Sequence, residues 1–257
     1  MNISTNNRLN IHDLPNEILF IIASKLNIGD VYSLIGIDER FAQIILDPLY
    51  IRNMRNLDTT IITMKSFFDY TFSMDDQVLS EICEKILPQI YLHVNKLTIE
   101  QNSMERILSV SYPQFYSLSL VNFQEKLLFQ YLTDHSILRD LLINQITHLN
   151  IDIQNETTSQ LSEIASNIFA LILSLTKRLI HLNFCQLFSH RRTWISIYYL
   201  PEISSMSSSL TELKINVETF FDCLYLLDGR LDSLSKLIIN VRKFLYKHKP
   251  SYINGGW

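Results

Sequence analysis

Glycine is scarce in this sequence: five in 257 residues, at Gly29, Gly36, Gly229, Gly255 and Gly256, where an average protein carries about 7%. Loops that cradle phosphates need several glycines close together, because the backbone must approach the anion at positive φ. Walker and Rossmann nucleotide sites are therefore excluded. Cysteine is scarcer, with only Cys83, Cys185 and Cys223. They are odd in number, far apart and in no C-x-x-C pair, so neither a disulfide framework nor a zinc knuckle is expected, and each reads as a small apolar core residue. Positive charge is also lacking, since 22 Lys and Arg stand against 26 Asp and Glu. No basic face is expected, and no nucleic-acid partner. Long apolar runs are missing too. The longest, Ile168 to Leu173, is far short of a bilayer span, and Met1 to Asn10 is polar. No membrane association is expected, and the compartment expected is cytoplasmic or nuclear.

What remains is a chain that is 47% hydrophobic, ample for a folded core without staples. Near the start, Pro15 suits the first turn of a helix, and Ile18, Ile22 and Leu26 recur at i, i+4, i+8 on one stripe. Asn27 to Gly29 should end that helix. Asp30 is placed to cap a second, with Val31 and Leu34 inward, and Asp38 a third, with Phe41, Ile44 and Ile45 inward. Three such short helices leave an apolar face in need of a partner. Further on, Val78, Leu79, Ile82, Ile86 and Leu87 predict a helix closed by Pro88.

The order Leu14-Pro15-Asn16-Glu17-Ile18-Leu19, followed by Ile22, Leu26, Asp30, Val31 and Leu34, resembles the F-box family. The resemblance covers residues 12–50 and implies docking on the SKP-type adaptor, and through it on a cullin, in a ubiquitin ligase. It implies that Leu14, Pro15, Ile18, Ile22, Leu26, Val31 and Leu34 supply adaptor contact or the core of the module. Residues 51–91 are expected to form a helical connector.

Beyond it a pattern repeats, as Val94/Leu97/Ile99, Phe115/Leu118/Leu120, Ile146/Leu149/Ile151, Leu179/Leu182/Phe184, Leu210/Leu213/Ile215 and Leu234/Leu237/Ile239. The central leucines step by 21, 31, 33, 31 and 24 residues, and helical stripes lie between them at 127–142, 161–175 and 220–227. Residues 92–241 thus resemble the leucine-rich-repeat family, whose stacked strand–helix units leave a parallel sheet on a concave face. The fold class expected is α/β: a three-helix F-box module followed by an irregular leucine-rich-repeat solenoid, with a short tail at 242–257.

Alternation along each strand sends the leucines inward and their neighbours to the exposed face. Three outward rows follow. The first is Lys96, Ser117, His148, His181, Glu212 and Lys236; the second Thr98, Ser119, Asn150, Asn183, Lys214 and Ile238; the third Glu100, Val121, Asp152, Cys185, Asn216 and Asn240. From these, His148, Asn150, Asp152, His181, Asn183, Glu212 and Lys214 are the expected target-binding residues. The histidine pair with Asp152 and Cys185 has the residue types of a metal site, but nothing in the sequence orients them, and no metal or other cofactor is expected. No G-x-S-x-G, H-E-x-x-H or local Cys/His arrangement occurs, so catalysis is not expected. Arg191, Arg192, Trp194, Tyr198 and Tyr199 form one aromatic and basic cluster between repeats. The function expected is a substrate-recognition adaptor of an SCF-type ligase for an unknown target protein. The alternative is a repeat scaffold for protein interaction, whose N-terminal helices serve only as a cap.

Overall fold

The structure is a computed structural model that describes residues 11–26, 28–37, 39–47, 54–60, 63–66, 69–71, 74–134, 136–154, 163–185, 193–197, 209–228 and 231–244. The chain is α/β with parallel strands, and divides into two compact units, Met1–Phe115 and Tyr116–Trp257.

The first unit opens with a 3-10 turn at Ile11–Asp13 and three helices, α1 (Asn16–Ala23), α2 (Ile28–Ile37) and α3 (Glu39–Ile45). Pro15 is the N-cap of α1, at φ −59°, where its missing N–H costs nothing. Asp30 lies inside the first turn of α2, not at its cap, because the helix starts at Ile28. Asp38 lies outside the described residues. The module closes on Leu19, Ala23, Ile28, Val31, Phe41, Ile44 and Ile45, all buried. Arg40 on α3 pins the entry to α1, its Nε and Nη2 donating to Asn16 Oδ1 at 2.9 and 2.7 Å and its Nη2 to the Leu14 carbonyl at 2.7 Å.

The stretch expected to be a helical connector contains three short strands, β1 (Asn56–Asp58), β2 (Thr63–Ser66) and β3 (Asp69–Thr71). β1 holds one buried apolar residue, Leu57, too little for an alternation to register. It pairs parallel with β4 (Lys96–Glu100), Leu57 opposite Leu97. Between them α4 (Asp76–Glu81), capped by Asp75, runs into a π turn at Ile82–Ile86 and then α5 (Leu87–Ile90). Pro88 therefore opens a helix where it was expected to close one: it has no N–H to return along the helix, and the wider turn before it absorbs the gap. Helix α6 (Met104–Leu108) follows β4.

The second unit repeats strand and helix: β5 (Ser117–Gln124), α7 (Glu125–Thr133), α8 (Ile137–Asn144), β6 (His148–Gln154), α9 (Glu163–Leu175), β7 (His181–Phe184), β8 (Glu212–Thr219), α10 (Phe220–Leu226) and β9 (Lys236–Lys243). The stripe at 127–142 is two helices, because Ser136 restarts the turn by accepting from the Arg139 N–H at 3.1 Å. All neighbouring strands are parallel, and Leu118, Leu149, Leu182, Leu213 and Leu237 stand opposite one another from β5 to β9. The first four of these leucines are buried to 2% exposure or less. Fully burying one such side chain is worth about 1.5–3 kcal/mol, so this row anchors the sheet.

Candidate interaction surfaces

In the first unit, the residues expected at the adaptor contact separate into three groups. Pro15 and Ile18 are exposed, Leu14, Ile22, Leu26 and Leu34 are half-buried, and Val31 is shut into the core. Val31 is thus a packing residue and not a contact. The most exposed apolar side chain on α1 is Ile21, at 53%, with Ile18 at 42% and Ile11 nearby in sequence at 40%. Ile21 was missed because the stripe through Ile18, Ile22 and Leu26 accounts for only one helix face; its signal is that α1 carries apolar residues beyond that stripe. Tyr32 on α2 donates to Glu81 on α4, and that bond holds the phenol proton on more firmly than usual. Lys85, at 2.7 Å, and then Tyr32 hold the Glu81 carboxyl below the ordinary glutamate range.

The same unit contains a cleft of about 480 Å³, lined by the end of α1, the start of α2 and residues Met54 to Asp58 along β1. Lys25, Asp30, Arg55 and Asp58 give it charges of both signs. Nothing in the sequence marked it, because its walls meet only through the fold.

In the second unit the first outward row is assembled as the alternation requires. His148 and His181 are opposite each other on β6 and β7, and their rings stack at 5.9 Å and 17°. Tyr116 meets the His148 ring edge-on at 5.5 Å. On the other side His181 Nε2 lies 3.8 Å from Glu212, and Glu212 accepts from Lys236 Nζ at 3.1 Å. Chiefly through that bond, the Glu212 carboxyl is held below its usual range. In the second row Asn150 Nδ2 donates to Ser119 Oγ at 3.0 Å, Lys214 is exposed, and the buried Asn183 Oδ1 has no hydrogen-bond partner among the described residues.

The third row is the correction. Glu100, Val121, Asp152, Cys185 and Asn216 are all buried, at 3–8% exposure, and Asp152 is thereby removed from the expected target-binding surface. In β4, β5, β6 and β8 the alternation of burial ends after the fourth residue, where the fifth is buried as well. In β5 the pairing shifts between Leu120 and Phe123, and Asn122 there adopts φ 57°. In the first unit Glu100 caps a turn, accepting from the Asn102 and Ser103 N–H groups at 2.8 and 2.7 Å. In β8 the segment 193–197 lies alongside, Ile195 bridging Val217. Asn216 Oδ1 then accepts from Cys185 Sγ at 3.4 Å and from Asn240 Nδ2 at 2.7 Å.

That segment is held from below by Asp222, which is fully buried. Its carboxylate accepts from Ser196 Oγ at 3.0 Å and the Ile197 N–H at 2.6 Å, and from the Thr219 N–H and Oγ at 2.9 and 2.6 Å. Trp194 of the aromatic cluster is half-buried here; Arg191, Arg192, Tyr198 and Tyr199 lie outside the described residues. Burial pushes the Cys83 and Cys223 thiols up, which leaves less of each as the nucleophilic thiolate. Among the described residues no cluster of three or more His, Cys, Asp or Glu is placed to hold a metal, and no helix is long and apolar enough to cross a membrane.

Compared with known proteins, the chain matches no family model, and no curated protein is significantly similar to it.

Proposed function

We infer that the chain is a substrate-recognition adaptor of an SCF-type cullin-RING ubiquitin ligase: α1–α3 act as an F-box on the SKP-type adaptor, and the strands of a leucine-rich-repeat solenoid present a target protein. The supporting observation is the apolar surface of α1. The module closes a core of its own on Leu19, Phe41 and Ile45, yet leaves Ile18 and Ile21 42% and 53% exposed beside Pro15. Apolar side chains grouped in this way mark a protein contact. The target contact falls on His148, Asn150, His181, Asn183, Glu212 and Lys214. The chain itself makes and breaks no bond in this reading; it raises the local concentration of a bound target near the ubiquitin-charged enzyme.

The test is co-purification and titration with an SKP-type adaptor. Leu14→Ala with Pro15→Ala, and separately Ile18→Glu, should each weaken the complex by a factor of about 30 or more, the size expected of a buried interface anchor, with unchanged circular dichroism. Undiminished binding by both variants rejects the reading. The alternative, a scaffold whose N-terminal helices are purely structural, draws on the Tyr32–Glu81 hydrogen bond between α2 and α4, and predicts no complex with either the unmodified chain or its variants.

A further inference from the structure

β9 ends the ladder of the second unit, and among the described residues β8 is its one hydrogen-bonded neighbour. Packing does not end with it. Leu213, Ile215 and Val217 of β8 are 2%, 0% and 0% exposed, whereas Leu237, Ile239 and Val241, registered opposite them, are only half-buried, and Ile238 is 43% exposed. The Lys236 N–H donates back to the Thr211 carbonyl at 3.0 Å, so by the alternation of a parallel ladder the peptide groups of Leu237, Ile239 and Val241 face the outer edge. An edge of this kind is a template for another strand.

The side chains of β9 state what that strand contains. Toward β8, Lys236 pairs with Glu212 at 3.1 Å, Arg242 and Lys243 pair with Glu218 at 3.2 and 2.6 Å, and Asn240 donates to Asn216 at 2.7 Å. Three cations thus share two carboxylates, and excess positive charge remains at the Arg242–Lys243 end. A second copy of β9 in two-fold antiparallel pairing would set cationic ends against cationic ends, which destabilises directly opposed residues. We propose that the outer edge of β9 takes, by strand addition, an extended segment of another protein whose pattern follows that of β8: acidic residues six positions apart, flanking alternating apolar residues and a central amide side chain. Main-chain bonds supply affinity in this mode of recognition, and the side chains at alternate positions supply specificity. The proposal does not depend on what α1–α3 bind.

The probe is a labelled, end-capped peptide with the sequence of β8, Glu-Leu-Lys-Ile-Asn-Val-Glu-Thr, titrated into the full chain by fluorescence anisotropy. Saturable binding is expected. Replacing both glutamates of the peptide by lysine should weaken it by a factor of about 10, since two attractive cross-strand pairs become repulsive. Raising the salt to about 1 M, where screening reaches about 3 Å, should narrow that difference. Ile239→Pro, which deletes an outward N–H at a position an edge strand tolerates, should abolish binding. Absence of binding, equal binding of both peptides, or undiminished binding by a folded Ile239→Pro chain overturns the proposal. So does self-association of the chain that the peptide dissolves, because the occupant would then be a second copy. Should Ile239→Pro unfold, the two peptides on the unmodified chain decide the matter alone.

Discussion

Asp222 shows how much one side chain can organise. It is the N3 residue of a capping box closed by Thr219 at the start of α10, and its other oxygen gathers the Ser196 hydroxyl and the Ile197 N–H. Removing it would leave several buried donors without an acceptor at about 1–3 kcal/mol each. Asp222→Ala is therefore expected to destabilise the chain by at least about 3 kcal/mol in urea unfolding, and Asp222→Asn by less, because the amide keeps one acceptor oxygen. The Thr219-x-x-Asp222 capping box is local, whereas the bonds to Ser196 and Ile197 have no local signal: they join residues about 25 positions apart, across a segment with no periodicity of its own. Burial of Cys185 was legible by residue type. Its hydrogen bond to Asn216 was not, since it joins residues 31 positions apart in a row expected to be exposed.

Among the elements, β5 departs from regular strand geometry at one residue. Asn122 at φ 57° lets the strand shift register so that Val121 and Phe123 are both buried. A left-handed residue other than glycine stores strain, least for asparagine. Asn122→Gly is expected to leave stability within about 0.5 kcal/mol or raise it, and Asn122→Val to lower it by about 1–2 kcal/mol, measured by thermal melting. The regular part of each strand was legible because a period of two anchored by leucine admits one register. That is why His148 and His181 could be placed side by side from sequence and are found stacked. Where the alternation stops, as at Asp152, the sequence carries no mark of it. The strand at Asn56–Asp58 and the π turn at Ile82–Ile86 escaped for a related reason: the first is too short for a period, and the second breaks the helical one.

For the molecule as a whole, acid sensitivity draws on two carboxylates at strand and helix surfaces that are held away from their ordinary titration range. Glu81, held low by Lys85 and then Tyr32, and Glu212, held low by Lys236, both fall below the free glutamate value of 4.5. A lowered folded value means that the unfolded chain takes up protons first as pH falls. Their stabilisation is thus present above pH 4.5 and lost on further acidification through the folded values, with the slope set by the difference in bound protons. Glu81→Gln with Glu212→Gln should lower the neutral plateau of a melting-temperature profile slightly and flatten its acid limb by the same small amount, since exposed pairs contribute little. A steep limb unchanged in the double variant would assign acid sensitivity to other carboxylates.

The central leucines stay in step from β5 to β9 although 24 to 33 residues separate one from the next. The register is set where each strand begins, and connections of different length are accommodated between the strands. Connections of this kind can lengthen or shorten without disturbing the ladder, so a reporter group or an affinity handle grafted between two strands should leave the row of leucines as it is.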